Sequence, residues 1–371
     1  MRVLLGQFGG PTTVLNASLY GAWGALRAAG AQPLGVRGGG RGLLAGDFVP
    51  LTGDPPAWLR TAPGAALGSG RHALDGPALE ACARRLRAEG VVGVVVMGGN
   101  GTMALGDGLA GAGLCVAGVP KTIDNDLEGT DHAPGYPSAA AFVVDAFTDL
   151  AVDLWAMSGF EDVRLIEVMG RRAGWLAAAA TLARTATGGL PQLVLLPEVP
   201  VDMEAFCAEV ARLQRRDGSV LVAVAEGVRT ADGLGLGAGA LDAAGRTPVL
   251  GGAAHRLASV LRTRLGLRVR AESLGFLPRC LRAAATERDR AEAEGVGRAA
   301  AAAVLAGRGG VMVSIPPRPE GGPASDYGVV PLREVAGRER LLPPGMRSGG
   351  EAFASWLRPL LGSVPPPTRL F

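Results

Sequence analysis

Short apolar runs alternate with longer amphipathic stretches along the whole chain. The runs at 2–5, 91–97, 114–119, 163–168, 193–196, 220–225, 267–272 and 311–314 predict β-strands. Several are apolar throughout, as in VLVAVA from Val220, rather than at alternate positions. That is the pattern of strands buried on both faces. Between them, segments rich in alanine, leucine and arginine at 17–29, 76–89, 174–187, 203–216 and 289–306 predict helices. The βαβα alternation predicts doubly wound, mainly parallel α/β sheets. Ligands of such sheets bind at the carboxyl ends of the strands, so the strand-end loops are where chemistry is expected. The stretch 230–251, dense in Gly and Ala, reads as a mobile loop, and the prolines at 365–367 as an extended tail. A domain break is expected just after Gly135, where a strand-end loop gives way to a long helix.

A length of 371 residues exceeds what one core usually needs, which supports two domains. The apolar fraction of 48% is enough to build cores and excludes global disorder. With 37 basic against 34 acidic residues the net charge is +3. That is too small to argue for a nucleic-acid or membrane partner. No stretch reaches the ~18 uninterrupted apolar residues of a membrane span. The first residues read as a strand entering a Gly-Pro loop, not a signal peptide. The expectation is a soluble, cytoplasmic protein. Cys82, Cys115, Cys207 and Cys280 are scattered and predict free thiols, not a disulfide or zinc framework. The cations are almost all arginine, and Lys121 is the one lysine of the chain.

Four loops in the first third carry the candidate chemistry. Gly6 to Asn16 places Gly9, Gly10, Thr12 and Thr13 between a strand and a helix. It is either an ordinary βα turn or a cradle whose main-chain N–H groups and helix N-terminus hold phosphate. It lacks the GxxxxGK[ST] pattern, so it is not a P-loop of the usual kind. Gly68-Ser69-Gly70-Arg71 offers a glycine-flanked guanidinium, a phosphate contact or a solvated surface arginine. Gly98-Gly99-Asn100-Gly101-Thr102-Met103 follows the strongest strand, and its three glycines favour a loop wrapped round an anion. Pro120 to Leu127 concentrates a cation (Lys121), a hydroxyl (Thr122) and two carboxylates (Asp124 and Asp126). Phosphoryl transfer needs such parts: a base, a metal ligand and a cation for the phosphate charge. Asp and Asn also serve as plain turn caps, but a compact ammonium among so many guanidiniums favours function. Later strand ends add Met169, Gly170 and Arg171 after Glu167, Glu226 beside Gly227, and Arg270 through Arg279. Arginine can fork onto a phosphate monoester and glutamate can accept from sugar hydroxyls, though each also suits a surface ion pair.

Taken in order, GGPTTVLNAS, LGSGR, GGNGTM, PKTIDNDLEGTDHAPGY, EVMGRRAGW, AEG and LGFLPR resemble the phosphofructokinase superfamily from Gly9 to about Gly309. PKTIDND followed by EVMGR is the most specific pair. GGPTTVLNAS and GTDHAPGY look most like the bacterial branch with many pyrophosphate-dependent members. The resemblance implies two α/β domains with the active site in the cleft between them. Residues 1–137 with about 279–308 would bind the phosphoryl donor, and 138–278 with about 309–371 the sugar phosphate. It implies magnesium-assisted transfer of a phosphoryl group to the 1-hydroxyl of fructose 6-phosphate, giving fructose 1,6-bisphosphate in glycolysis. A homodimer or homotetramer is implied as well.

Carried over position by position, the resemblance makes Asp124 the catalytic base, with Thr122, Lys121 and Arg71 completing the catalytic set. Gly10, Arg71, Gly99, Asn100, Gly101, Thr102 and Lys121 would contact the donor. Thr122, Asp124, Asp126, Met169, Gly170, Arg171, Glu226, Arg270 and Arg279 would contact the sugar phosphate, and Asn100 and Asp126 the metal. Arg270 matches an arginine often sent across a subunit interface. Asn100 stands where many members have an aspartate, Phe276 and Pro278 where His or Tyr and Gln are common, and Pro137 where a small residue is usual. Arg164 is two positions off the usual interface arginine, so that role is not carried over. The donor signals disagree. Pyrophosphate-dependent relatives commonly carry an aspartate at the position of Gly101 and a lysine at that of Lys121, whereas ATP-dependent bacterial relatives have glycine at both. An excluding carboxylate is the stronger specificity device and Gly101 lacks one, so ATP is the expected donor and pyrophosphate the alternative. A weakened regulatory paralogue that binds phosphosugar, and a kinase for another ketose phosphate, are the remaining readings.

Overall fold

The computed structural model describes residues 1–237, 251–317, 324 and 326–362. Most of the expected loop at 230–251, and the proline tail, lie outside the described residues. Along the chain the strands are β1 (Arg2–Gln7), β2 (Gln32–Val36), β3 (Phe48–Pro50), β4 (Val91–Gly98), β5 (Cys115–Pro120), β6 (Val163–Val168), β7 (Leu193–Leu195), β8 (Val220–Ala225), β9 (Val269–Ser273), β10 (Val311–Ser314) and β11 (Gly328–Pro331). They form a seven-stranded sheet, β11-β10-β5-β4-β1-β2-β3, and a four-stranded sheet, β7-β8-β6-β9. The chain separates into two units, Met1–Ser138 with Arg279–Arg340, and Ala139–Pro278 with Leu341–Phe371.

In the first unit the five central strands run parallel, and antiparallel β3 and β11 form the two edges. Successive side chains of a strand point to opposite faces. Val3, Leu5, Val95, Met97, Ala117 and Val119 therefore enter one core, shared with the helices Leu15–Ala28 and Glu287–Leu305. Leu4, Val94, Val96 and Val116 enter a second core, shared with Cys82 and Leu86 of the helix Gly76–Ala88 and Met103 of the helix Asn100–Gly111. Two covered faces explain the uninterrupted apolar runs, and each fully buried Val or Leu contributes roughly 1.5–3 kcal/mol. The helices Leu15–Ala28 and Glu287–Leu305 meet backbone to backbone. A Cβ on Gly21 would overlap the Glu294 carbonyl, and one on Gly297 the Ser18 carbonyl. The Thr286 hydroxyl accepts from Asp289 N–H at 3.2 Å and starts the second of these helices, a cap worth about 1 kcal/mol.

One boundary needs correction. The sequence reading returns the chain to the second domain from residue 309, but the apolar run Val311–Ser314 pairs in parallel with β5, and β11 adds antiparallel to it. Residues 309–340 thus belong to the first unit, and the chain passes to the second after Arg340.

All four strands of the second unit run parallel, with β6 between β8 and β9. The helix Glu351–Leu361 lays Phe353 and Trp356 against Trp175, with ring centroids 6.4 and 5.0 Å from it. Trp175 and Phe353 are fully buried. The four cysteines are free. No helix among the described residues is long and apolar enough to cross a membrane.

Candidate active site

The loop after β1 is built from main chain. Gly9 takes φ 72°, a left-handed backbone that glycine adopts without a Cβ clash. Its N–H donates to Gly70 O at 3.0 Å and its carbonyl accepts from the Ser69 hydroxyl at 2.6 Å. The loop carrying Arg71 is thereby tied to the loop carrying Gly10. Two buried amides behind it set the spacing: Gln7 Oε1 accepts from Leu67 N–H at 3.0 Å, Asn16 Oδ1 from Ala66 N–H at 2.8 Å, and Gln7 Nε2 donates to Asn16 Oδ1 at 3.0 Å. A side chain on Gly10 would stand 3.1 Å from Arg279 Nη1 and 3.7 Å from Arg71 Nη2. Gly10 is therefore the gap past which two guanidiniums approach the loop.

Lys121 lies beneath them at the end of β5, 3% exposed. Its ammonium donates to Phe8 O at 3.0 Å and to Gly10 O. Burial, then the charges of Arg71 and Arg279, pull its pKa down to about 7 against the partial offset of Asp126 and Asp124. The three cations thus repel one another at the Gly10 loop, an arrangement that a polyanion would relieve.

The segment after Lys121 turns tightly. Thr122 Oγ1 accepts from Asp124 N–H at 3.0 Å. Asn125, between the two aspartates, is buried at φ 52° and accepts from Ala133 N–H at 3.1 Å through Oδ1. Burial pushes the Asp126 carboxyl above the usual range. Asn100 begins the helix Asn100–Gly111 and donates from Nδ2 to Asp126 O at 3.4 Å and to Arg338 O. Oδ1 of Asn100 and Oδ1 of Asp126 are both buried and accept no hydrogen bond. A carboxamide oxygen and a carboxylate oxygen, each buried without a hydrogen bond, are hard donors of the kind a magnesium ion takes, one or two from protein with phosphate and water completing its shell. Among the described residues no three acidic, His or Cys side chains converge as a metal site, so the fit is to an ion held largely by its substrate.

Met169, Gly170, Arg171, Glu226 and Arg270 stand in the second unit, while Gly99, Gly101 and Thr102 lie in the first, at the end of β4 and the start of the helix Asn100–Gly111. The loops after β6 and β8 touch: Gly227 N–H donates to Gly170 O at 3.1 Å, and Glu226 N–H to Val168 O at 2.9 Å. This sets Met169, Gly170 and Arg171 beside Glu226. Glu167 has a structural task, accepting from Gly252 and Ala254 N–H at 3.1 and 3.0 Å to hold the start of the helix Ala253–Leu265. Arg270 lies on β9, its guanidinium 5.6 Å from the Phe160 ring and Nε 3.5 Å from Glu161. Arg164 is a buried clasp on Asp153 and Glu161. Arg279 belongs to the first unit, beside Gly10. A cavity of about 220 Å³ in the second unit is walled by Leu193, Leu195, Val199 and Phe206. Its carboxylates are engaged, Asp202 capping the helix Met203–Asp217 and Glu209 pairing with Arg212, and it offers no convergent polar set.

Sequence reasoning passed over Gln7, Asn16 and Asn125. A polar residue inside a buried strand, or an Asn between two aspartates in a turn, is the only local signal for them.

Parallel α/β sheets that gather a lysine, two arginines, a hydroxyl and two aspartates at their strand ends are the equipment of a phosphotransferase. The phosphofructokinase sequence profile matches residues 2–304. A sulfofructose kinase of Alkalicoccus urumqiensis is 35% identical, the alignment covering 100% of this chain and 98% of that one. A pyrophosphate–fructose 6-phosphate 1-phosphotransferase of Xanthomonas campestris pv. campestris is 36% identical over 92% of this chain and 86% of its own. An ATP-dependent 6-phosphofructokinase of Propionibacterium freudenreichii is 34% identical over 95% and 98%. The crystal structure of a pyrophosphate-dependent phosphofructokinase from Marinobacter aquaeolei superposes with a TM-score of 0.85 at 27% identity, covering 100% of this chain and 94% of that one. The chain belongs to the phosphofructokinase family.

Proposed function

We propose that the protein transfers a phosphoryl group from ATP to the 1-hydroxyl of fructose 6-phosphate. The observation that carries this reading is the cluster on the first unit, where Lys121, Arg71 and Arg279 meet at Gly10 while Thr122, Asp124 and Asp126 share one turn. Asp124 takes the proton of the attacking hydroxyl, and Thr122 and the three cations meet the transferring group and its donor. Gly9, Gly10, Gly99, Gly101 and Thr102 bring main chain close to the donor phosphates. Bound magnesium would be held by Asn100 and Asp126 and would neutralise phosphate charge. Met169, Gly170, Arg171, Glu226 and Arg270 hold the sugar phosphate, Arg270 in a homo-oligomer; Arg279, expected from the sequence among these contacts, is assigned to the donor side instead because it stands beside Gly10 on the first unit.

ATP is favoured by Gly101, whose Cβ position has open space around it and no carboxylate to repel an α-phosphate. Pyrophosphate is the second reading, favoured by the buried Lys121 and by the relatives named for that donor. The sulfofructose kinase relative adds a sulfonated ketose as a second acceptor to be tested. Purified protein is assayed with ATP and pyrophosphate, each with fructose 6-phosphate and with sulfofructose. Gly101→Asp should cut kcat/KM for ATP by about 10-fold or more and spare pyrophosphate. Wild type that turns over pyrophosphate alone would overturn the ATP reading, and wild type inactive with every pair would overturn the kinase reading.

A further inference from the structure

Several buried ionisable groups that the transfer reaction does not use converge on residues 131–138. Asp289 and Glu292 stand three residues apart on the helix Glu287–Leu305, both fully buried. Asp289 accepts from Gly135 N–H at 2.9 Å, from Ser138 N–H at 3.1 Å and from the Ser138 hydroxyl. Glu292 meets His132 Nε2 at 2.8 Å, while His132 Nδ1 meets the Asp131 carboxylate at 2.9 Å. Arg288 at 3.3 Å and Ala324 N–H at 3.0 Å complete the surroundings of Glu292, and the Arg340 guanidinium donates to Asp131 O.

The other edge of the same segment is bonded to the aspartate turn. Thr122 N–H donates to Pro134 O at 3.3 Å, Ala133 N–H donates to Asn125 Oδ1, and Thr122 pairs with Gly135 in an isolated parallel bridge. Asn125 is the one non-glycine residue at positive φ among the described residues. Asparagine visits this left-handed region through local hydrogen bonds of its short side chain, and here that side chain is held by the Ala133 N–H of the same segment.

We propose that Asp289, Glu292 and His132 are positioning residues that set the place of Asp124 by clamping residues 131–138 to the helix behind them. The inference rests on the reading of Asp124 as the base. A buried imidazolium between the fully buried Glu292 carboxylate and the partly exposed Asp131 carboxylate satisfies charges that would otherwise be costly to bury. Burial pulls the His132 pKa down, but the bonds to Asp131 and Glu292 outweigh it and hold it at about 9. That lies above the ~6.5 of a free imidazole. The clamp therefore stays charged through neutral pH and loses its charge as the pH rises through about 9; its contribution to stability is complete below about pH 6.5 and is lost as the pH rises through about 9.

The test measures kcat, KM and amide hydrogen exchange of wild type, His132→Gln, Asp289→Asn and Glu292→Gln between about pH 6 and 10. Each variant should lose roughly 10- to 100-fold in kcat at neutral pH with the fructose 6-phosphate KM nearly unchanged. Exchange across residues 121–128 should quicken while β4 stays protected. Wild-type kcat should fall above about pH 9, and His132→Gln should lack that limb. If Glu292→Gln fails to fold, Asp289→Asn, which keeps the shape of its side chain, decides. Unchanged kcat in the folded variants overturns the proposal, and so does a fall in kcat without faster exchange at 121–128. Inactive wild type would count against the kinase reading alone, and the exchange across 121–128 would then decide this one.

Discussion

At the scale of single residues, the placement of Lys121 makes a quantitative prediction. Its ammonium has a pKa of about 7 in the ligand-free protein because burial and two arginines disfavour the charge. In the unfolded chain it returns to about 10.4, so this group adds stability as the pH rises from about 7 towards 10. A phosphate donor bound beside it restores the charge. Donor binding at about pH 8 should then take up close to one proton in wild type, and clearly less in Lys121→Met. Calorimetry in buffers of different ionisation enthalpy reads that number, and equal uptake in both proteins would show that Lys121 does not face the donor. The Asp124→Asn protein should keep its fold and sugar affinity but lose roughly 10²–10⁴ in turnover, and near-normal turnover would remove the base assignment. The residues with charge or hydroxyl chemistry were legible in the sequence because motifs and strand ends announce them. The residues that place them were not. Glu292 meets His132 across 160 positions, and no local pattern joins two such residues.

At the scale of elements, the helix pair Leu15–Ala28 and Glu287–Leu305 sets helix propensity against close packing. Propensity alone says that Gly→Ala in a helix gains about 1 kcal/mol. At Gly21 the added methyl would run into the Glu294 carbonyl, and main chain cannot step aside. Overpacking of that kind costs about 1–3 kcal/mol, so Gly21→Ala should lower Tm by several degrees. Gly24→Ala in the same helix meets only Pro55 Cγ at 3.6 Å, ordinary contact, and should hold or raise Tm. Equal shifts for the two would mean that the helices do not touch as described. Short apolar runs made most strands readable: the runs 163–168, 220–225 and 311–314 coincide with β6, β8 and β10. β2 escaped because Pro33 and Gly35 interrupt its apolar run, and β3 and β11 because three or four residues at a sheet edge carry too little pattern. The expected helix at 174–187 is split into Trp175–Ala179, a 3₁₀ turn and Ala183–Thr187. There the Thr181 hydroxyl donates to Ala178 O at 2.7 Å, a side-chain bond that competes with the helical ladder.

At the scale of the whole molecule, the chain crosses between its units after Ser138, Pro278 and Arg340. The two sheets share no strand, so each unit keeps its own ladder of backbone hydrogen bonds. The second unit depends on its last described segment. Phe353, fully buried on the helix Glu351–Leu361, packs against Trp175 and Trp356, and Glu198 Oε1 accepts from both Gly174 and Leu342 N–H at 2.9 Å. Phe353→Ala removes a ring from this core and should cost about 3–5 kcal/mol. A loss confined to one unit should split the thermal transition, with the second unit melting first and the first near its wild-type temperature. Amide exchange separates the outcomes residue by residue. Peptides from β6 and β8 should lose protection in Phe353→Ala while those from β1, β4 and β5 keep theirs. Were all five strands to lose protection together under one undivided transition, the two units would unfold as a single cooperative body and the stability of each could not be assigned to its own core.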